Sequence, residues 1–337
     1  MIKSSQHLSQ HQPRHQQGVA LLTILLMVVT ATILAVGLLT RQDRIVRETS
    51  VLLRQDQSLQ YALAGENLFG ALLIASAQDN ANVDSAKSIW AQPIPPYPVE
   101  DGAITGKLID QSAKFNLNNL YHNGQADPVA LAYFKRLLTE VGLQPTLASA
   151  VLDWQTPEAS APTDSDGAKN SFYLGQNPPY QAANRPFEQI EELRKVRGFD
   201  EKSYQLLAPY VSAVPQFAPI NINTALMPVL AALDDSLTPA SVNAWIIQRN
   251  ASANGISQVS AMWQDSAFSK VPADSQSALA TLLDVKSSYF QAQIDINLSG
   301  RDRFLTSDFY RTGQKVYVWR RSLAPFPPAA PVPQSDS

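Results

Sequence analysis

The hydrophobic positions near the N-terminus follow a helical pattern that continues beyond the length of a membrane span. Residues 19–40 form an apolar run without a charged side chain. As a helix this run would be roughly 33 Å long, enough to cross the hydrocarbon core of a bilayer. Six apolar residues then recur at helix spacing, and we call them the apolar stripe: Ile45, Val46, Leu52, Leu53, Leu59 and Leu63. The pattern predicts one helix from Val19 to about residue 75, amphipathic from residue 41 onward.

Two other regions contain short apolar segments bounded by polar residues, a pattern that is typical of β-strands. Residues 104–109 and 115–120 lie on either side of a short polar break, which predicts two strands joined by a tight turn. Near the C-terminus, residues 288–300, 303–312 and 315–322 predict three successive antiparallel strands. We expect these strands to form one antiparallel sheet that packs on the amphipathic half of the long helix.

The chain between these strand regions has the spacing of short helices. Residues 127–143 carry apolar side chains at helical intervals and end at Gly142, and helix pairs follow around Gly198 and over residues 222–250. We therefore predict an α+β fold. Residues 41–126 and 287–322 would form the helix-and-sheet domain, and residues 127–286 an inserted all-α subdomain. The proline-rich residues 323–337 are predicted to be a disordered tail.

The amino-acid composition limits the kinds of catalytic and metal-binding site that the chain can form. The 337 residues include no cysteine, which excludes disulfides, zinc–thiolate sites and cysteine nucleophiles. Three of the four histidines, His7, His11 and His15, precede Gly18, so removal of that leader would leave only His122. A histidine-based triad or a multi-histidine metal site is then excluded, and we predict that the protein is not an enzyme. The net charge of −3 does not predict affinity for polyanions, so no nucleic-acid partner is expected.

The junction between the leader and the apolar run carries a further signal. Gly18 stands directly before the uncharged run, whose far end lacks the small residues of a secretory cleavage site. A leader of residues 1–18, a glycine, an uncharged run of residues 19–40 and an amphipathic continuation resemble type IV pilins and type II secretion pseudopilins. The segment GVALLTILLMV is similar to the corresponding segment of the K-type minor pseudopilins. Further segments resemble the same family in the same order: FNLNNL, LDW, PPYQAANRP, ELRKVRGFD, LAPYV and NINTA.

The resemblance implies a role in assembly. A prepilin peptidase would cut after Gly18, leaving Val19 as the first mature residue with a methylated amine. The protein would then be a single-pass inner-membrane subunit with a periplasmic C-terminal domain. It would cap or nucleate the tip of the type II secretion pseudopilus, which exports folded proteins across the outer membrane. The implied partners are the I- and J-type minor pseudopilins, bound through the apolar stripe, and then the H-type and major pseudopilins. Thr23 occupies the fifth mature position, where most pilin-like subunits have glutamate.

A cluster of carboxylates follows Trp154, in a segment that we call the acidic loop (residues 153–169). Its members suit calcium, which accepts oxygen ligands with loose geometry, and the resemblance also implies calcium here. The candidate ligands are Asp153, Glu158, Asp164 and Asp166. However, Lys169 and Asn170 stand where the family usually has two acids, which removes a ligand and adds repulsion. A calcium site and a solvated acidic loop therefore both remain open.

Two alternatives to the pseudopilin hypothesis are kept. The first is a membrane-anchored helix-hairpin-helix protein that binds DNA in the periplasm. The helix pairs around Gly198 and residues 222–250 resemble helix-hairpin-helix modules, some of which bind DNA through backbone amides and basic side chains. The second hairpin carries Asp234 and Asp235 and no glycine, which favours a structural use of these helices. The other alternative is an unprocessed single-pass periplasmic adaptor. Lysines and arginines on the two sides of the apolar run do not fix its orientation.

Overall fold

The computed structural model describes residues 16–326, with side chains from residue 19 onward. The predicted leader therefore lies almost entirely outside the described residues, as does most of the predicted tail. The chain divides into two compact units, one ending at residue 59 and the other beginning at residue 60. Each unit is described below by itself.

The N-terminal unit consists of the first part of a single helix, α1 (Gln16–Asp79), so the predicted long helix is confirmed. Among the described residues, α1 is the one helix whose length and apolar composition would allow it to cross a membrane. Its apolar half is exposed, and its hydroxyls bond within the helix. Thr23, Thr30 and Thr32 donate to carbonyl oxygens three or four residues earlier, at 2.7–2.9 Å. These bonds satisfy the polar groups without help from water, as an apolar environment requires.

The C-terminal unit contains a five-stranded antiparallel sheet in the order β1-β2-β9-β10-β11. Its strands are β1 (Tyr97–Val99), β2 (Gly102–Asp110), β9 (Tyr289–Leu298), β10 (Arg301–Thr312) and β11 (Lys315–Ser322). The three predicted C-terminal strands are confirmed. The edge strand β1 was not predicted, because its central Pro98 marks a connector in sequence. Proline is tolerated there since an edge strand leaves one row of amides without a ladder partner.

Short helices and two-residue strands fill the chain between β2 and β9. The helices are α2 (Pro128–Glu140), α3 (Leu147–Gln155), α4 (Asn170–Tyr173), α5 (Glu201–Leu207), α6 (Met227–Ala231), α7 (Pro239–Ala251), α8 (Val259–Trp263) and α9 (Ala273–Leu279). The strands are β3 (Phe115–Asn116), β4 (Tyr121–His122), β5 (Gln125–Ala126), β6 (Val211–Ser212), β7 (Ile220–Asn221) and β8 (Leu283–Asp284). The helical pair around Gly198 is present, with Gly198 at a φ of 84°. Together with α1 and the sheet, these helices confirm the α+β fold.

The predicted hairpin over residues 104–120 is wrong. Its first half is β2, but residues 115–120 leave the sheet and pair Phe115–Asn116 with β6 in parallel. Phe115 stacks on Phe134 with ring centroids 5.4 Å apart, inside the core of the helical region. Phe115, Leu117 and Leu120 are fully buried there, which is why their apolar spacing resembles a strand without forming one. The helical core thus begins before residue 127.

A second core lies between the sheet and the part of α1 that belongs to this unit. Ala62, Phe69 and Leu73 of α1 are buried against the inner face of β9. Gly106 of β2 allows this close approach, because a Cβ there would lie 2.8 Å from the Phe69 ring and 2.9 Å from the Gln293 carbonyl oxygen. The apolar alternation of β9 therefore packs against the helix, as predicted.

Helix α1 also carries a buried charge into this core. Glu66 is 4% exposed and accepts two hydrogen bonds from Arg321, at 2.7 and 2.8 Å, and one from Ser307 at 2.5 Å. Burial opposes the charged carboxylate, but these bonds outweigh burial and hold the pKa of Glu66 below its usual value. The bidentate pair with Arg321 ties the helix to β11, and the Ser307 bond ties it to β10.

Candidate functional site

The proposed processing site lies at the beginning of the described chain. Gly18 and Val19 are both within α1, and Val19 is exposed. Cleavage between them stays a prediction, as does methylation of the Val19 amine.

The structure separates the apolar stripe into two parts. Ile45, Val46, Leu52 and Leu53 are 51–66% exposed, and we call these four residues the exposed apolar face. Residues seven apart lie almost directly above one another on a helix, so the four form one continuous patch. Leu59 is half-buried, whereas Leu63 packs against the protein's own sheet core. Leu63 is also only half-buried, and the contact of the apolar stripe with partner helices stays a prediction.

In the acidic loop, Asp153 is a buried structural acceptor. It lies in the last turn of α3, and its carboxylate accepts the Thr163 N–H at 3.0 Å and the Thr163 hydroxyl at 2.6 Å. Gly167 makes this arrangement possible, because a Cβ there would lie 2.0 Å from Asp153 Oδ2. Asp153 thus closes the loop through hydrogen bonds within the chain.

The other predicted calcium ligands face different partners. Asp164 accepts the Ser149 hydroxyl at 2.6 Å, a bond that lowers the pKa of Asp164. Glu158 accepts the Asn170 N–H at 3.2 Å, and Asp166 is exposed. Within the part of the chain that the structure describes, no three His, Asp or Glu side chains are grouped to hold a metal ion. The four predicted ligands are therefore not brought together.

A cationic side chain already lies among the loop's oxygens. Lys169 is 5% exposed, and its Nζ donates to the Asp153, Thr156 and Pro157 carbonyl oxygens at 3.2–3.3 Å and to Thr156 Oγ1 at 2.5 Å. These residues do not fit a calcium ion as they stand, because the ammonium fills the position among the carbonyls. Calcium binding stays a prediction of the sequence.

Comparisons with known proteins identify the family. The family models described as type II secretion system (T2SS), protein K, match residues 113–216 and 220–286. Type II secretion system protein K of Aeromonas hydrophila is 32% identical over 92% of this chain and 97% of that protein. The corresponding protein of Pseudomonas aeruginosa is 37% identical over 65% of this chain and 68% of its own length. The chain belongs to the type II secretion system protein K family.

A solved structure agrees with this assignment. The crystal structure of the GspK-GspI-GspJ complex from the enterotoxigenic Escherichia coli type 2 secretion system contains a chain that is similar to this one with a TM-score of 0.75. The two are 27% identical, and the match covers 83% of this chain and all of the other. The predicted resemblance to K-type minor pseudopilins is therefore confirmed.

Within the regions matched by the protein K models, the asparagine-rich motifs act as buried connectors. Asn118 donates to the Phe187 and Val214 carbonyl oxygens at 2.9 and 2.8 Å and accepts the Phe187 N–H at 2.7 Å. Asn116 and Asn119 bond in the same way to residues 214–218. The sequence pointed to them only as family segments. The sequence signal that could have found these connectors is the occurrence of asparagines within an apolar run. If such a run is buried, its polar side chains must form hydrogen bonds.

A second polar network joins the helical region to the sheet. Asp110, at the end of β2, is buried and accepts the hydroxyls of Ser287 and Thr224 at 2.5 and 2.6 Å. Burial raises the pKa of Asp110 to about 6, although the two hydroxyl bonds oppose it. The neighbouring ion pair of Asp84 with Arg311 is also buried. These residues were not singled out from sequence because they are far apart along the chain.

In the segment that resembles a helix-hairpin-helix module, two arginines bond to other groups of the same chain. Arg194 pairs with Glu201 at 2.7 Å, and Arg197 donates to the Gly167 carbonyl oxygen at 2.9 Å. Both guanidinium groups therefore have acceptors of their own, which supports the structural use of this segment.

Proposed function

We propose that this chain is a non-enzymatic minor pseudopilin that nucleates or caps the tip of the type II secretion pseudopilus. One observation carries the proposal: the solved relative that matches 83% of this chain was crystallised in a GspK-GspI-GspJ complex. By this likeness, the I- and J-type minor pseudopilins are the first partners, followed by the H-type and major pseudopilins. The inserted helical region is bulky, and this bulk favours a terminal position over one repeated along a filament.

The exposed apolar face is the proposed contact with the I- and J-type helices. Its four aliphatic side chains are exposed, and each would contribute about 1.5–3 kcal/mol if fully buried. Apolar side chains at helix spacing pack well into a bundle of parallel helices. The preceding uncharged run would anchor the protein in the inner membrane, with the unit from residue 60 onward in the periplasm.

Thr23 supports the tip position by its chemistry. An unpaired carboxylate within the bilayer is costly, so a glutamate at the fifth mature position needs an amine from a neighbouring subunit. The Thr23 hydroxyl instead donates to the Ala20 carbonyl oxygen of its own helix at 2.9 Å. A subunit with threonine here needs no neighbour above it, whereas its Val19 amine is free to pair with the subunit below.

The mature N-terminus tests the class of protein. Mass spectrometry of the chain purified from cells with an active prepilin peptidase should find Val19 with a methylated amine. An intact Met1 would contradict processing and would favour the unprocessed adaptor. Co-purification of the I- and J-type subunits with the chain tests assembly in the same preparation, and its absence would contradict the proposed partners.

Substitution of Thr23 tests the tip position. We expect Thr23→Glu to reduce tip assembly and secretion, because the new carboxylate has no amine above it. Thr23→Val is the control, since it is uncharged and of similar size, and should retain both. Normal secretion by Thr23→Glu would show that an uncharged fifth position is not required.

A further inference from the structure

The acidic loop folds around the ammonium group of Lys169. The side chain enters from the residue that precedes α4 and is buried. Three backbone carbonyls, those of Asp153, Thr156 and Pro157, surround Nζ together with Thr156 Oγ1. One positive group thus connects the beginning of the loop, at the last turn of α3, to the end of the loop.

The groups around Nζ are hydrogen-bond acceptors. The Thr156 hydroxyl donates its own hydrogen to the Asp153 carbonyl oxygen at 3.3 Å, so Oγ1 accepts from Nζ. An ammonium group offers three donors and no acceptor, so it can bond this set of four acceptors when two of them share one N–H. Burial lowers the pKa of Lys169, but the nearby Asp153 and Glu158 favour the charged form. Oxygen atoms of this kind are also the ligands that calcium prefers.

A second cationic side chain holds the outer part of the loop. Arg197 Nη1 donates to the Gly167 carbonyl oxygen at 2.9 Å and to the Ser165 carbonyl oxygen at 3.3 Å. Its guanidinium lies over the Phe172 ring, 5.0 Å from the centroid. Backbone carbonyls on two sides of the loop are therefore satisfied by side chains of the protein itself.

The carboxylates do not compete for a shared ion. Asp153 is held by Thr163, Asp164 by Ser149, and Glu158 by the Asn170 N–H. Each of the three has a donor within 3.2 Å from a different residue. The loop is thus closed by hydrogen bonds within the chain, with the Lys169 ammonium as the buried cation.

We propose that Lys169 is the resident cation of the acidic loop: its ammonium takes the position of a divalent metal among the carbonyl oxygens, so the loop folds and stays folded without calcium. This proposal departs from the calcium implied by the family resemblance. It concerns the stability of the helical region and is independent of the proposed role in the pseudopilus.

The first test compares calcium with a chelator on the full chain in detergent. Hydrogen exchange of the amides in residues 158–168 should be the same in excess calcium chloride and in EGTA, and so should the melting temperature. Saturable protection of these amides by calcium in the unmodified chain would overturn the proposal. This measurement needs no variant, so it stands even if a substitution prevents folding.

The second test removes the ammonium. Lys169→Met keeps the length of the side chain but removes the ammonium from four oxygens. The Asp153 and Pro157 carbonyl oxygens keep the Thr156 hydroxyl and the Ser160 N–H as donors, whereas the Thr156 carbonyl oxygen and Oγ1 lose the ammonium. Exchange in residues 158–168 should become about tenfold faster or more. Lys202→Met, at an exposed position on α5, is the control and should leave this exchange unchanged. Unchanged exchange in Lys169→Met would overturn the proposal.

The third test reverses the charge. Lys169→Glu places a carboxylate among the carbonyl oxygens, which gives the position the chemistry of a calcium ligand set. We expect fast loop exchange in EGTA and restored protection in calcium chloride. A Lys169→Glu chain whose loop exchange does not respond to calcium would contradict the claim that the ammonium occupies a metal position.

Discussion

The two parts of helix α1 differ in the side chains that they expose and bury. Up to residue 59 the helix presents apolar side chains outward, and Ile45, Val46, Leu52 and Leu53 are all more than half exposed. From residue 60 onward it buries Phe69 and Leu73, and with them the carboxylate of Glu66. The hydrophobic effect favours neither an exposed apolar face nor a buried charge, so each needs a specific partner.

The partner differs between the two parts. Glu66 finds its partner, Arg321, on β11 of the same chain, so the C-terminal part of the helix is explained by this protein alone. The exposed apolar face has no such partner among the described residues of its own unit. Under the proposed function, the N-terminal part of the helix would find its partners in the pseudopilus, and the variants below test this difference between the two parts.

The largest effect is expected at the exposed apolar face. The double substitution Ile45→Asp and Leu52→Asp should abolish co-purification with I- and J-type partners, because losing two buried aliphatic side chains costs more than about 3 kcal/mol, or about a hundredfold in affinity. The melting temperature of the unit from residue 60 onward should not change. Ile247→Asp, at a similarly exposed position on α7, is the control and should retain binding. Full binding by the double variant would place the partner contact elsewhere.

Removal of Arg321 should destabilise the C-terminal unit. Arg321→Met leaves the buried Glu66 carboxylate without its ion pair, which should cost about 3 kcal/mol in the free energy of unfolding, measured with denaturant. This is the low end for a broken buried pair, because Arg321 is half exposed and the Ser307 bond remains. Arg301→Met, at an exposed position on β10, is the control. Equal stability of the two variants would show that the pair contributes nothing.

The same variant should reverse the pH dependence associated with Glu66. In the unmodified chain the pKa of Glu66 is below its ordinary 4.5, so its contribution to stability is present above that value and is lost as the pH falls through the folded pKa. Without Arg321, burial dominates and raises the pKa of Glu66. Arg321→Met should therefore recover part of its lost stability as the pH falls from neutral towards 4.5.

Two glycines test how closely α1 is packed: Gly106, which faces the buried part of the helix, and Gly37, in its exposed part. Gly106→Ala should cost about 2 kcal/mol in the free energy of unfolding, because the new methyl group overlaps the Phe69 ring and the Gln293 carbonyl oxygen. Gly37→Ala is the matched substitution in the exposed part of α1, where a Cβ would have no neighbour within 4 Å. It should leave the unfolding of the C-terminal unit unchanged. Equal effects of the two substitutions would contradict close packing at Gly106.

The smallest effect is expected at Asp110. This buried acid accepts hydrogen bonds from two hydroxyl groups, whereas Glu66 forms an ion pair with an arginine. Its folded pKa is about 6 against an ordinary 3.8, so its contribution to stability is fully present below 3.8 and is lost as the pH rises through 6. Asp110→Asn cannot ionise. The unmodified chain should therefore gain about 1.4 kcal/mol relative to this variant between pH 7.5 and pH 5. A constant difference across this range would show that Asp110 does not titrate in it.

Much of the fold could be predicted because periodicity records which side of an element faces the core. Helix α1, strands β9–β11 and the helices around Gly198 all follow the expected spacing. The prediction was wrong for residues 115–120, since apolar spacing alone does not say which of two cores a segment enters. Pro98 concealed strand β1 for a similar reason: an edge position, which makes proline acceptable, depends on neighbouring strands.

The candidate sites were predicted less completely. The exposed apolar face was found from helix spacing, but spacing did not show that Leu63 of the apolar stripe also packs against the protein's own sheet core. In the acidic loop the sequence suggested calcium ligands from residue types alone, and calcium binding stays a prediction. Lys169 was treated as a repulsive charge, and only its burial among carbonyl oxygens gives it a constructive role.

The sequence by itself determined the membrane-length apolar helix, the three C-terminal strands and the family of the protein, because these depend on local spacing and on residues close together in the chain. Only the tertiary structure decided which groups bind the buried charged and acidic side chains. Glu66 meets Arg321, Lys169 meets the carbonyls of α3 and the loop, and Asp110 meets Ser287. Such contacts depend on burial and on bonds between distant residues, and the cost of leaving a buried charge unpaired makes each of them specific.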